Sequence, residues 1–269
     1  MSSIYLFRPE KFSLIWLIGL FILLPEIGNE AMAETAHGEA RGAASWTTDA
    51  RRLTGESDAV RLRAISRLKA TSDLSNRLEA AMKGADRFLA LDVITALKIR
   101  SMMPSLLRYS AEENSGYAIH ALNTLIEPSD RTAIFQVYRE RLSNRSTSYP
   151  NQVALIDTFS RTAERLDLGL LTRLQDEGSV EVRSSILHYL RAQVLNQSRQ
   201  DLVSLVFRAL SDPTFQNRLQ AHYLIHEFSP GLKQKFYQEI QRSNQACLAD
   251  PAEEVRLFCS VSLSAGRQE

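Results

Sequence analysis

Two short motifs in the sequence have residue types and spacings that could do chemistry. His222 and His226 stand four residues apart in "HYLIH", the spacing by which one face of a helix offers two imidazoles to zinc. Ser66 and Lys69 fit the Ser-x-x-Lys pattern of some serine nucleophiles. Both motifs lack companions, because no Glu stands between the histidines and neither Ser-Asp-Asn nor Lys-Thr-Gly accompanies Ser66. We therefore predict no catalytic residue, no metal site, no cofactor and no enzymatic activity.

The two cysteines, Cys247 and Cys259, are the only other candidates for chemistry. Cys259 falls in an apolar column of a repeat described below, and a buried thiol is usually inert, so a catalytic cysteine is disfavoured. The repeat places the two cysteines on neighbouring helices, where their Cα atoms could come within the 7 Å or so that a disulfide needs. An oxidising compartment would favour that disulfide, with two separate thiols as the alternative.

A repeat organises the chain that carries these residues. "LSDPTFQNRLQAHYLI" begins at Leu210, "LADPAEEVRLFCSVSL" begins at Leu248, and in both an Arg follows the Asp by six residues. Alignment by eye extends the pattern to seven copies, which start at Val60, Leu89, Tyr117, Asn151, Val182, Asn217 and Val255.

The columns of this alignment match the geometry of an amphipathic helix. The fifth and ninth positions are apolar in every copy, whereas the seventh is polar in the first five. A further apolar segment precedes most copies, and alternating strand patterns are missing. We therefore predict an all-α fold, an α-solenoid of about seven helical hairpins.

The Leu-x-Asp-Pro and Val-Arg motifs resemble those of short HEAT-like repeats of the phycobilisome-lyase type, over residues 46–269. The resemblance implies a superhelix whose adjacent repeats are joined by a ladder of Arg and Asp side chains. The repeat would place Asp212 and Asp250 just before a helix, where a carboxylate can also cap free N–H groups. The ladder residues that the resemblance implies are Arg61, Arg183, Arg218, Arg256, Asp212 and Asp250, with Asp176 as a further member.

The N-terminal segment differs from the rest of the chain. Basic residues, the apolar run "FSLIWLIGLFILL" and the triplet "AMA" form the pattern of a secretory signal peptide over residues 1–33. Residues 34–45 are small and polar and predict a disordered leader. The protein is thus expected to be periplasmic or secreted, without stable insertion in a membrane after cleavage. A formal net charge of +1 disfavours nucleic acid as a partner.

The expected binding surface is the exposed side of the repeat helices, which lines the concave face when HEAT-like repeats stack. We expect an exported, non-enzymatic scaffold or adaptor that binds another protein or a peptide there. A repeat-based enzyme or chromophore lyase is one alternative, and a structural element of an envelope complex is another. The predicted partner-binding residues are His188, Arg191, Tyr223, His226, Lys69 and Lys98.

Overall fold

The structure, a computed structural model, is all-α, as the sequence predicts. It describes residues 40–53, 57–112, 116–197 and 199–265, and no strand occurs within these ranges. The predicted signal peptide at residues 1–33 lies outside them and stays a prediction. In the described part of the chain, no helix combines the length and the apolar character needed to cross a bilayer.

The described residues contain fifteen α-helices and two short 3₁₀ turns. The α-helices are α1 Ala40–Arg51, α2 Asp58–Ala70, α3 Leu74–Met82, α4 Arg87–Leu97, α5 Met103–Tyr109, α6 Gly116–Leu125, α7 Pro128–Ser143, α8 Tyr149–Ser160, α9 Leu168–Glu177, α10 Val180–Gln197, α11 Val203–Ala209, α12 Phe215–His226, α13 Pro230–Lys235, α14 Tyr237–Leu248 and α15 Glu253–Ala265. The 3₁₀ turns are Arg100–Met102 and Gln200–Leu202.

The first helix corrects the prediction of a disordered leader over residues 34–45. Helix α1 begins at Ala40, so that prediction is wrong for the end of the segment. The composition of "ARGAAS" is rich in alanine, which has the highest helix propensity. Farther along the helix, Trp46 and Ala50 are buried, so apolar packing anchors α1.

The seven predicted repeat helices are all present, as α2, α4, α6, α8, α10, α12 and α15. Each of them packs against the next one in chain order. From α4 onward, each also packs against the helix that immediately precedes it in the sequence, which gives a series of helical hairpins. The described residues from Ala44 onward form one compact unit.

The predicted apolar columns form the core. Every residue of the fifth column is buried, from Ala64 at 1% exposure to Cys259 at 4%. In the ninth column only Leu97 and Leu263 are half-buried rather than buried. Because these positions recur at helical spacing, one stripe of each repeat helix faces the core, whereas the residues of the seventh column are exposed or half-buried.

Two rungs join the last three repeats, each an ion pair between a half-buried Arg and a buried Asp. Arg183 donates to Asp212 from Nε at 2.7 Å, and its Nη1 donates to the carbonyl of Gly178 at 2.8 Å. Arg218 donates to both carboxylate oxygens of Asp250 at 2.7 Å, and to the carbonyl of Asp212 at 2.8 Å. Each guanidinium therefore donates both to a carbonyl in the turn of its own repeat and to the Asp carboxylate of the next repeat.

Three other expected ladder residues behave differently. Arg61 is exposed and pairs with Asp58 in its own helix, because no Leu-x-Asp-Pro turn follows it at the right distance. Arg256 donates only to the carbonyls of Asp250 and Pro251, since the described residues offer no later Asp. Asp176 pairs with Arg208 at the surface, outside the ladder.

The Asp-Pro pairs form turns rather than helix N-caps. Asp212 accepts the N–H of Thr214 at 2.8 Å, and Asp250 accepts the N–H of Ala252 at 2.8 Å. A carboxylate that accepts the N–H two residues on makes an Asx turn, which leads the chain into the next helix. Helix α12 consequently begins at Phe215, with Thr214 in the N-cap position.

A second arginine series, which the sequence did not predict, links the helices that precede the repeat helices. Arg141 donates to the carbonyl of Leu107 at 2.6 Å, and Arg173 donates to the carbonyl of Leu142 at 2.7 Å. Arg108 similarly contacts Glu79 at 2.6 Å. The guanidinium groups of Arg141 and Arg173 lie near the C-terminal ends of α5 and α7, where unpaired carbonyls accept positive donors.

Candidate functional site

Four of the predicted partner-binding residues lie close together on α10 and α12, at the side of the repeat helices turned away from the core. Tyr223 is 50% exposed, and its ring packs against Phe258 of α15 with 4.1 Å between centroids. The exposed His226 meets the same phenyl ring edge-on at 6.3 Å. We call Tyr223, His226 and Phe258 the aromatic patch.

A bidentate ion pair borders the aromatic patch. Arg191 of α10 donates to Glu227, which follows α12 directly, from Nε at 2.7 Å and Nη2 at 2.6 Å. These hydrogen bonds raise the pKa of Arg191 above its ordinary value. Both side chains are exposed, so the guanidinium is held in place while one edge remains open to solvent. Its charge is largely neutralised, and Arg191 is an oriented donor rather than a free cation.

A polar pocket of about 400 Å³ lies between α6, α7 and α8. His120, Arg131, Asp157 and Arg161 are among its lining residues. Among the described residues, neither arginine has a carboxylate within ion-pair distance, but Asp157 lines the same pocket near Arg161, so two guanidinium groups share the pocket with one carboxyl group. Burial raises the pKa of Asp157, although nearby His188 opposes the shift. That proximity shows that His188 lies beside the pocket.

The two predicted lysines do not join this group. Lys69 is exposed near the end of α2, and no contact in the described residues links it to α10 or α12. Lys98 is the C-cap of α4 in the left-handed conformation, with φ at 51°, so it ends the helix instead of lying on its exposed face. The repeat alignment placed Lys98 on the exposed face of α4 because it treats Leu97, the apolar ninth position, as a residue inside the helix and not as its last one.

The two histidines of "HYLIH" have different environments. His222 is buried, and burial lowers its pKa to about 4, whereas His226 is exposed. His222 therefore belongs to the core, in agreement with its position in the sixth column. It lies beside Cys247 and Cys259, which form a disulfide with 6.0 Å between their Cα atoms.

Sequence patterns alone missed several members of this surface. Phe258 occupies the fourth column, which is mostly polar in the other copies, and Glu227 follows the end of its helix. Arg131 belongs to α7, outside the aligned repeats. No family model matches this chain, and no curated protein matches it.

Proposed function

We propose that the protein is an exported α-solenoid of HEAT-like repeats, which binds another protein or a peptide along the exposed side of its repeat helices. Three features support the solenoid: the repeat helices pack in chain order, hairpins recur, and Arg–Asp rungs join neighbouring repeats. Solenoids of this kind bind partners along an extended face.

The observation that carries the proposal is the aromatic patch. Tyr223 is half-exposed, yet its ring is fixed against Phe258, and His226 packs at the edge of the same ring. A rigid, exposed aromatic side chain provides contact area at a small entropic cost, which is why Tyr is enriched among interface hot spots. The open edge of Arg191 adds a hydrogen-bond donor next to this apolar surface.

Charge in the polar pocket indicates the chemistry of the partner. Arg131 and Arg161 line a cavity large enough for a side chain, and His188 lies near Asp157 of the same cavity. A peptide with an aliphatic or aromatic anchor and an acidic side chain would fit both features, because the anchor packs on Tyr223 and the carboxylate enters the pocket.

Site-directed photocrosslinking in the native host tests the proposal. A photoreactive phenylalanine analogue replaces Tyr223 in one variant and Tyr237 in a matched control, because Tyr237 is comparably exposed, at 61%, but lies on α14. We expect one discrete protein or peptide adduct at position 223 and none at 237. Equal labelling at both positions, or no adduct at 223, would contradict this assignment. Copurification of a pigment would instead favour the chromophore-lyase alternative.

A further inference from the structure

A buried cluster of metal-ligand side chains lies at the junction of α12, α14 and α15. His222, Cys247 and Cys259 contribute one ligand atom each, and these atoms all lie within 4.8 Å of one another. The exposures are 6% for His222, 0% for Cys247 and 4% for Cys259. Each residue comes from a different helix, so the cluster exists only because the last hairpin packs against α12.

We propose that this cluster is a redox-gated metal site, which holds a disulfide when oxidised and binds one borderline-soft divalent cation, of the Zn²⁺ class, when reduced. Two thiolates and one imidazole are a recognised zinc-ligand set, and soft sulfur ligands exclude Mg²⁺ and Ca²⁺. The proposal is independent of the function proposed above, because none of its three ligands belongs to the exposed surface.

The backbone geometry suits both states. The Cα atoms of Cys247 and Cys259 are 6.0 Å apart, inside the range of disulfides. Two Zn–S bonds of about 2.3 Å at a tetrahedral angle place the sulfur atoms roughly 3.8 Å apart. Side-chain rotation can open that separation without moving either helix, and His222 already lies within reach of both sulfur atoms.

A cavity of about 490 Å³ gives access to the cluster and provides room for a fourth ligand. His222 and Cys259 line it, together with polar residues of α12 and α14 that include His226, Asn244 and Gln245. Three protein ligands leave one position of a tetrahedral zinc ion open. That position faces the cavity, where water or a small external ligand would complete the coordination.

The Cys247–Cys259 disulfide is reduced by thiol–disulfide exchange with an external dithiol. A thiolate of an external dithiol reductant attacks Sγ of Cys259, which lines the cavity, and Cys247 leaves as a thiolate. The second thiol of the reductant then closes its own disulfide and releases Cys259. Two electrons thus pass from the reductant to the cysteines, and the reductant is oxidised. Any protons that the two thiols hold are released when the cation binds.

Anaerobic titration of the full chain with Co²⁺ tests the site, since tetrahedral cobalt thiolates absorb strongly in the visible and near ultraviolet. We expect reduced wild-type protein to bind one equivalent and oxidised protein to bind none. His222→Ala should weaken binding at least about tenfold and change the visible bands. His188→Ala, the control, changes an exposed histidine outside the cavity and should bind as wild type does.

Because His222→Ala could fail to fold, a second experiment tests the site in the wild-type protein alone. Zn²⁺ added to the reduced wild type should displace Co²⁺ and protect both cysteines from alkylation, with metal content measured by mass spectrometry. Absence of Co²⁺ binding to the reduced wild type overturns the proposal. An unchanged spectrum in a folded His222→Ala protein overturns it equally, because the thiolates would then bind without the imidazole.

Discussion

Replacement of Arg218 by Ala tests the ladder that joins the last two repeats. In the wild type the guanidinium donates twice to Asp250 at 2.7 Å, and also to the carbonyls of Asp212 and Pro213. Asp250 is buried and Arg218 is half-buried, with side-chain exposures of 7% and 11%. In the variant the Asp250 carboxylate stays buried and keeps only the hydrogen bond from the N–H of Ala252 among the described residues.

The expected loss in the free energy of unfolding follows from that unpaired charge. Removal of one partner from a buried ion pair costs about 3 to 5 kcal/mol. For a chain of about this size each kcal/mol lowers the melting temperature by about 2 to 4 °C, so the variant should melt roughly 6 to 20 °C lower. Urea unfolding followed by circular dichroism measures the free energy directly.

Arg208→Ala is the matched control. Arg208 also pairs with a carboxylate of a neighbouring hairpin, Asp176, but the two side chains are 50% and 44% exposed. An exposed pair contributes at most about 1 kcal/mol, because solvent screens it. Hydrogen exchange should show α15 losing protection first in Arg218→Ala, since Asp250 immediately precedes that helix. If Arg218→Ala destabilises the protein no more than Arg208→Ala does, the ladder does not stabilise the fold.

Three further outcomes are expected. The hydrogen bonds from Arg218 hold the pKa of Asp250 below its ordinary 3.8, so this pair stabilises the protein above that pH and less as the pH falls further. The gap in unfolding free energy between wild type and Arg218→Ala should narrow in acid, and a gap independent of pH would contradict it. The double variant Tyr223→Ala, Arg191→Ala should weaken partner binding by about 2 kcal/mol or more in calorimetry, with unchanged helix content. If the double variant binds the partner with wild-type affinity, the binding site is not on this surface. Intact-mass measurement of the mature protein should give Glu34 as the first residue, and retention of Met1 would contradict export.

The sequence predicted the repeat helices because their signal is local and recurs. Apolar residues at the fifth and ninth positions lie on the same face of a helix, so the pattern predicts a helix that packs this face against the core. The same regularity placed Tyr223 and His188 on the exposed side, where the structure has them. Each of these predictions needed only the spacing within one helix.

Features that depend on two distant segments could not be predicted in this way. Arg141 and Arg173 donate to main-chain carbonyls at the ends of other helices, and a carbonyl has no signature in the sequence. Arg61 occupies the same column as Arg218, but the turn before α4 has no Leu-x-Asp-Pro motif, and Arg61 pairs with Asp58 instead. The column alone therefore predicted one ladder residue too many. The contact of His222 with the two cysteines likewise arises from the packing of three helices.

The position of α12 connects the stability of the fold with the proposed binding surface. Near its beginning, Arg218 ties the helix to Asp250 and therefore to α15, and at its end Glu227 ties it to Arg191 on α10. Tyr223 lies between these two ion pairs, against a ring that α15 supplies. A side chain fixed in this way loses little entropy when a partner binds. It follows that Arg218→Ala, although distant from any predicted contact with the partner, should weaken binding by loosening α15 and withdrawing Phe258 from Tyr223.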